Sequence, residues 1–193
     1  MKFVTQLAIA AGVVGALALQ SQVFAQDAAK PQYVGAEACG KCHKRETTGN
    51  QLGKWQESKH SKAFATLATP EAKKIAAAKG ITDPQKDAKC LKCHVTTATA
   101  AQIAKPTVEG EKGFVAEDGV QCETCHGPGS QYKARKIMKD KTAAVAAGLI
   151  VPDEKLCKTC HNPESPSHKE FNFAEMKKKI DHTNPNKGKA DAE

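Results

Sequence analysis

Four stretches repeat one pattern: Cys39-Gly40-Lys41-Cys42-His43, Cys90-Leu91-Lys92-Cys93-His94, Cys122-Glu123-Thr124-Cys125-His126 and Cys157-Lys158-Thr159-Cys160-His161. Each reads Cys-x-x-Cys-His, the spacing of covalent haem c attachment. One helical turn presents two thiols to the two vinyl groups of a porphyrin, and the imidazole that follows reaches the iron as proximal ligand. The chain has eight cysteines, and all of them lie in these stretches. Cys39, Cys42, Cys90, Cys93, Cys122, Cys125, Cys157 and Cys160 are therefore read as haem attachment points, and His43, His94, His126 and His161 as iron ligands. Disulfides are the ordinary expectation for an even cysteine number in an exported chain, but they do not explain a histidine after every pair. Zinc would need a matched fourth ligand at each cluster, and the sequence supplies none.

Of the seven histidines, only His60, His168 and His182 stand outside the motifs, so four irons cannot all be bis-histidine within one chain. At least one iron is five-coordinate, takes Met138 or Met176, or receives a ligand from a neighbouring molecule. Trp55, His60, Phe64 and Leu67 share one face of a helical pattern over residues 53–67. A single histidine on such a face is ordinarily a packed core residue; with four irons in the chain, His60 is read as a distal ligand. Met176 lies in a helix of ordinary apolar pattern, where core packing is the usual role of methionine.

The elements that must carry these residues are helical. Thr69-Pro70-Glu71 predicts a helix start, with an N-cap hydroxyl, proline at the first position and an acid in the first turn, and Gly80 closes it. Asp83-Pro84 repeats the start signal ahead of Cys90. Gly110 to Gly119 lacks a strong period and reads as loop with room for one short β-hairpin. Gly127-Pro128-Gly129 ends a helix, and short helices are expected over 131–140 and 142–150. Asn172-Phe173-Ala174-Glu175 resembles a capping box opening a helix that runs to His182 before Pro185. The separations between the motifs differ, so no solenoid repeat is present.

Lys2, the apolar run from Leu7 to Leu19 and Val23-Phe24-Ala25 read as a secretory signal peptide over residues 1–25, cleaved near Ala25. Gln20, Ser21 and Gln22 cut the apolar run below the roughly 20 residues needed to span a bilayer, which argues against stable membrane insertion. A domain over 26–186 and a disordered tail over 187–193 follow, in the periplasm or beyond it. One Trp, two Tyr and six Phe make a thin apolar core, so four porphyrins are expected to supply much of it. The net charge of +8 invites a nucleic-acid reading. Two propionates on each of four haems add about eight negative charges, which answers the lysines without nucleic acid.

The sequence resembles the cytochrome c554 family, tetrahaem carriers that accept electrons from hydroxylamine oxidoreductase in ammonia-oxidising bacteria. The resemblance rests on Trp55-Gln56-Glu57-Ser58-Lys59-His60, on Gly119-Val120-Gln121 leading through the third motif to Gly127-Pro128-Gly129, and on Phe171-Asn172-Phe173-Ala174-Glu175-Met176 with His182 after it. It implies that His60 ligates the fourth haem and His182 the third, and that the second haem is five-coordinate, with His94 alone on its iron. The family's further histidine downstream of the Gly-Pro-Gly, which ligates the first haem, is missing here between Tyr132 and Asp140. His168 on the first or second haem, Met138, or a neighbouring subunit could fill that place. The segment from His161 to Phe171 is also shorter than the family loop that covers the open haem.

The expectation is a mainly α, irregular multihaem cytochrome c fold wrapped around four covalently bound haem c groups. It would be an electron carrier between redox partner proteins, not an enzyme. Two alternatives stand beside it: redox chemistry on a small nitrogen oxide or hydroxylamine at an open haem, and a multihaem polymer in which self-association completes a neighbour's iron.

Overall fold

The computed structural model describes residues 30–106 and 112–186. The signal peptide over 1–25, the tail over 187–193 and part of the 110–119 segment lie outside the described residues. Ten α-helices form among the described residues: α1 (Ala36–His43), α2 (Gln51–Glu57), α3 (Ala63–Thr66), α4 (Pro70–Ala78), α5 (Ala88–His94), α6 (Cys122–His126), α7 (Arg135–Met138), α8 (Lys141–Ala146), α9 (Glu154–Lys158) and α10 (Phe173–Ile180). Among the described residues the β pairing is one isolated parallel bridge, Tyr33 to Ile103, and the described part of 110–119 holds a 3-10 turn at Ala116–Asp118. No helix among the described residues is long and apolar enough to cross a membrane.

Local chemistry sets most helix starts. The Thr69 hydroxyl accepts from Ala72 N–H with Pro70 at the first position, and Asn172 Oδ1 accepts from Glu175 N–H at 3.1 Å. The continuous pattern over 53–67 is broken in two. The Ser58 hydroxyl accepts from the amides of His60 (3.2 Å) and Ser61 (3.4 Å), giving the backbone an alternative to the helical ladder between α2 and α3. Asp83 makes only a turn, accepting from Gln85 N–H at 3.0 Å, and Asp87, four residues later, caps α5 through Lys89 N–H at 2.8 Å. Helix α10 stops at Ile180, two residues short of His182, because Asp181 is extended (φ −65°, ψ 125°).

The chain buries little aliphatic bulk by itself. Val34, Leu52, Leu67, Ile81, Val95 and Val120 are its larger buried aliphatic side chains, and they are scattered between the motif helices. Gly40, inside the first motif, lets α2 press onto α1: a Cβ there would lie 2.5 Å from Leu52 Cδ2.

Candidate haem centre

Each motif occupies one helical turn. The first ends α1, the second ends α5 and the third is α6 itself; the fourth continues α9, with His161 N–H donating to the Cys157 carbonyl at 3.0 Å. Motifs two and four are capped locally, by Asp87 and by Asp153, whose Oδ1 accepts from Leu156 N–H at 2.8 Å. Helix α1 has no side-chain cap from its own neighbourhood.

Its cap comes from the third motif. Glu123, 2% exposed, accepts from Val34 N–H at 2.9 and 3.1 Å, from Gly35 N–H at 2.8 Å and from Gly129 N–H at 2.7 Å. Gln121 Oε1 takes the next amide, Ala36 N–H, at 3.0 Å. Thr96, just after the second motif, accepts from Gln121 N–H at 2.8 Å and shares a 2.6 Å hydroxyl contact with Thr124. This buried polar network joins three motifs, and every group in it is a hydrogen-bond donor or acceptor with a partner.

The thiols report how the motifs neighbour one another. Cys39 donates to Cys122, which raises the Cys39 thiol well above its ordinary range, with burial adding to it, and lowers that of Cys122. Burial and the adjacent Cys160 push Cys93 up to about 11. Burial, with the Cys157 thiol adding to it, pushes Cys125 up to about 11. Motif one thus adjoins motif three, and motif three adjoins motif four; Cys160 Sγ donates to the Lys92 carbonyl at 3.8 Å, so motif four adjoins motif two, which also meets motif three through Thr96 and Thr124.

The histidines outside the motifs fall into place around this chain. The His60 and His161 rings lie 6.0 Å apart at 65°, and the His126 and His182 rings 6.0 Å apart at 83°. Each pair is spaced so that the two imidazoles would hold one metal ion between them. Three rings present Nδ1 to a carbonyl: His94 to Ala63 at 2.7 Å, His126 to Ile150 at 3.2 Å and His182 to Ile180 at 2.7 Å. Since a carbonyl only accepts, Nδ1 carries the proton and Nε2 is left for metal. Burial lowers His60, His126 and His161, the direction that favours the neutral imidazole a metal needs. The residues therefore fit haem groups. The four cysteine pairs would hold them covalently.

Other contacts aim these rings. Phe171 stacks on His161 at 4.8 Å. His182 is held across the fold by Gln51, whose Nε2 donates to its carbonyl at 3.1 Å. The His60 carbonyl accepts from Val120 N–H at 3.0 Å, and Trp55 Nε1–H donates to the Val120 carbonyl at 2.8 Å. Gly119 makes that approach possible. Its φ is +82°, and a Cβ would lie 2.6 Å from the His60 carbonyl oxygen. Gly119→Ala is expected to cost about 1–3 kcal/mol in chemical denaturation of the holoprotein. It should also disturb the low-spin signal that depends on His60; an unchanged midpoint and spectrum would argue against this role.

His168 sits on an exposed turn, its N–H donating to the Ser165 carbonyl at 3.0 Å, close enough to His161 to lower it further. It therefore lies beside the fourth motif. His43 is within electrostatic range of His126. Among the described residues, the histidine–histidine ring pairs are the two above, and neither includes His43 or His94. Met138 ends α7 and Met176 lies within α10, both half-buried. Sequence reasoning missed Glu123 and Gln121. The available signal was an acid inside the third motif followed by Gly127-Pro128-Gly129, set against a first motif helix with no capping residue before it.

Residues 38–127 match the family model described as cytochrome c554 and c-prime. The chain is 33% identical over 132 residues to cytochrome c-554 of Nitrosomonas europaea, an alignment covering 66% of this chain and 52% of that protein. The chain thus spans about half the length of that curated relative. No solved structure gives a significant match.

Proposed function

We propose that this chain, a member of the cytochrome c554 and c-prime family through residues 38–127, is an exported tetrahaem electron carrier. The observation that carries this reading is the continuous neighbourhood of the four attachment helices: Glu123 and Gln121 bind the start of α1, Thr96 after the second motif meets Thr124 of the third, and Cys160 of the fourth meets the Lys92 carbonyl of the second. Each haem, when bound, supplies a one-electron iron couple. The chain's contribution is placement. Eight thiols fix four porphyrins, and Glu123 and Gln121 clamp α1 to α6. His60 faces His161 and His182 faces His126, which supports two bis-histidine irons, at the fourth and third sites.

The carrier works between redox partner proteins in the periplasm, after removal of residues 1–25, as a domain over 26–186. No acid–base pair or nucleophile set apart from the haem sites is needed for that task. Spectroelectrochemical titration should resolve several overlapping haem transitions from a protein whose intact mass carries four haems. Fewer than four covalent haems would overturn the reading.

A second reading is favoured by one observation, that the histidine pairs leave out His43 and His94. An iron held only by its proximal histidine binds small molecules such as nitric oxide or hydroxylamine. Rapid nitric oxide binding by the oxidised monomer would support it, and no binding would exclude it.

A further inference from the structure

Helix α1 (Ala36–His43) carries the first motif, has Gly35 (φ +86°) at its N-cap, and has no side-chain cap of its own. The first amides form the positive end of the helix and call for an acceptor. Two distant acceptors meet this start: Gln121 Oε1 takes the first helical amide, Ala36 N–H, and Glu123 takes the amides of Gly35 and Val34 just before it, 88 and 89 residues away, together with Gly129 N–H from the third motif's own exit. Glu123 is 2% exposed. Its field reaches the thiols on both sides, Cys39 of the first motif and Cys122 of the third. Both its oxygens accept only from backbone N–H groups, in a water-poor setting.

We propose that Glu123 is a positioning residue for electron transfer, whose buried carboxylate locks the first motif helix onto the third and biases the two haems held there toward the ferric state. The inference rests on reading the four motifs as a haem relay. An anion in low dielectric stabilises the more positive oxidation state of nearby iron, so its charge lowers the reduction potential at those two sites. The same carboxylate, by capping α1 in trans, sets how closely the first and third attachment points approach. Sites two and four, capped by the more exposed Asp87 and Asp153, lack this buried charge.

The test uses Glu123→Gln, which keeps the shape and removes the charge, and Glu123→Asp, which keeps the charge on a shorter arm. Both are purified as holoprotein, counted for haem by intact mass and titrated beside the wild type. Glu123→Gln should move two of the four transitions to higher potential and leave two in place, while Glu123→Asp stays near the wild type. Loss of haem incorporation in Glu123→Gln but not in Glu123→Asp also supports the proposal, because the charge is then needed to seat α1. Unchanged potentials in Glu123→Gln, or equal behaviour of the two variants, would overturn it. Hydrogen exchange on the wild type decides independently of either variant: the Val34, Gly35 and Gly129 amides should be among the slowest in the chain, and rapid exchange there would overturn the clamp. A wild type carrying fewer than four haems would fail the relay reading instead, which the mass measurement separates from any failure of Glu123.

Discussion

His182→Ala is expected to add one high-spin ferric signal per chain and to remove one of two bis-histidine low-spin signals. The cause is local. His182 faces His126 at 6.0 Å, its Nδ1–H is committed to the Ile180 carbonyl, and Gln51 holds its backbone in place. Removal leaves the iron at the third site with His126 alone, and free imidazole added to the variant should restore the low-spin signal. His60→Ala should do the same at the fourth site, where Phe171 keeps His161 oriented after the distal ring is lost. The double variant should show two high-spin signals, because the two pairs share no histidine and their effects add. An unchanged low-spin spectrum in either single variant would break the assignment of its pair.

Preventing haem attachment should abolish the cooperative fold altogether. The larger aliphatic side chains that the chain buries by itself are few and dispersed, and the motif helices α6 and α9 are only five residues each. Helices that short are not stable alone in water, where roughly 12–15 residues are needed even for good helix formers. A typical domain stability is about 5–15 kcal/mol, and here most of it is coupled to cofactor attachment, as metal binding is coupled to folding in small metal domains. Haem-free protein should therefore show weak helical circular dichroism and no sigmoidal melt. A cooperative transition matching the holoprotein would show that the chain's own core suffices.

Several parts of this architecture were legible in the chain. The four attachment turns follow from cysteine and histidine spacing, and the starts of α4 and α10 from Thr69-Pro70 and Asn172, because caps act within three residues. The facing of His60 with His161 and of His126 with His182 was implied only by resemblance; local pattern put His60 on an apolar face and went no further. The break after α2 was hidden because Ser58 can serve a helix surface or interrupt it, and the competing amides of His60 and Ser61 decide. Asp83 and Asp87 both look like caps, and only the turn made by Asp83 shows why Asp87 opens α5.

The way the four attachment turns adjoin and the role of Glu123 were illegible for a different reason. Both are long-range. Glu123 is one of the variable positions of its motif, and nothing within its own stretch announces that Val34 and Gly35 supply its donors. An acid there reads as a solvated helix residue until the fold brings the uncapped start of α1 to it. His168 shows the converse: the histidine count made it available to any iron, whereas the structure sets it beside His161.

The expected arrangement is four irons in unequal settings, two between paired histidines and two with one motif histidine each. Electron paramagnetic resonance of the fully oxidised monomer, integrated against iron content, tests it most directly. The predicted result is four ferric irons per chain, two of them low-spin bis-histidine, with the others outside that class. Fewer than four irons, or four bis-histidine signals from a monomer with seven histidines, would contradict it.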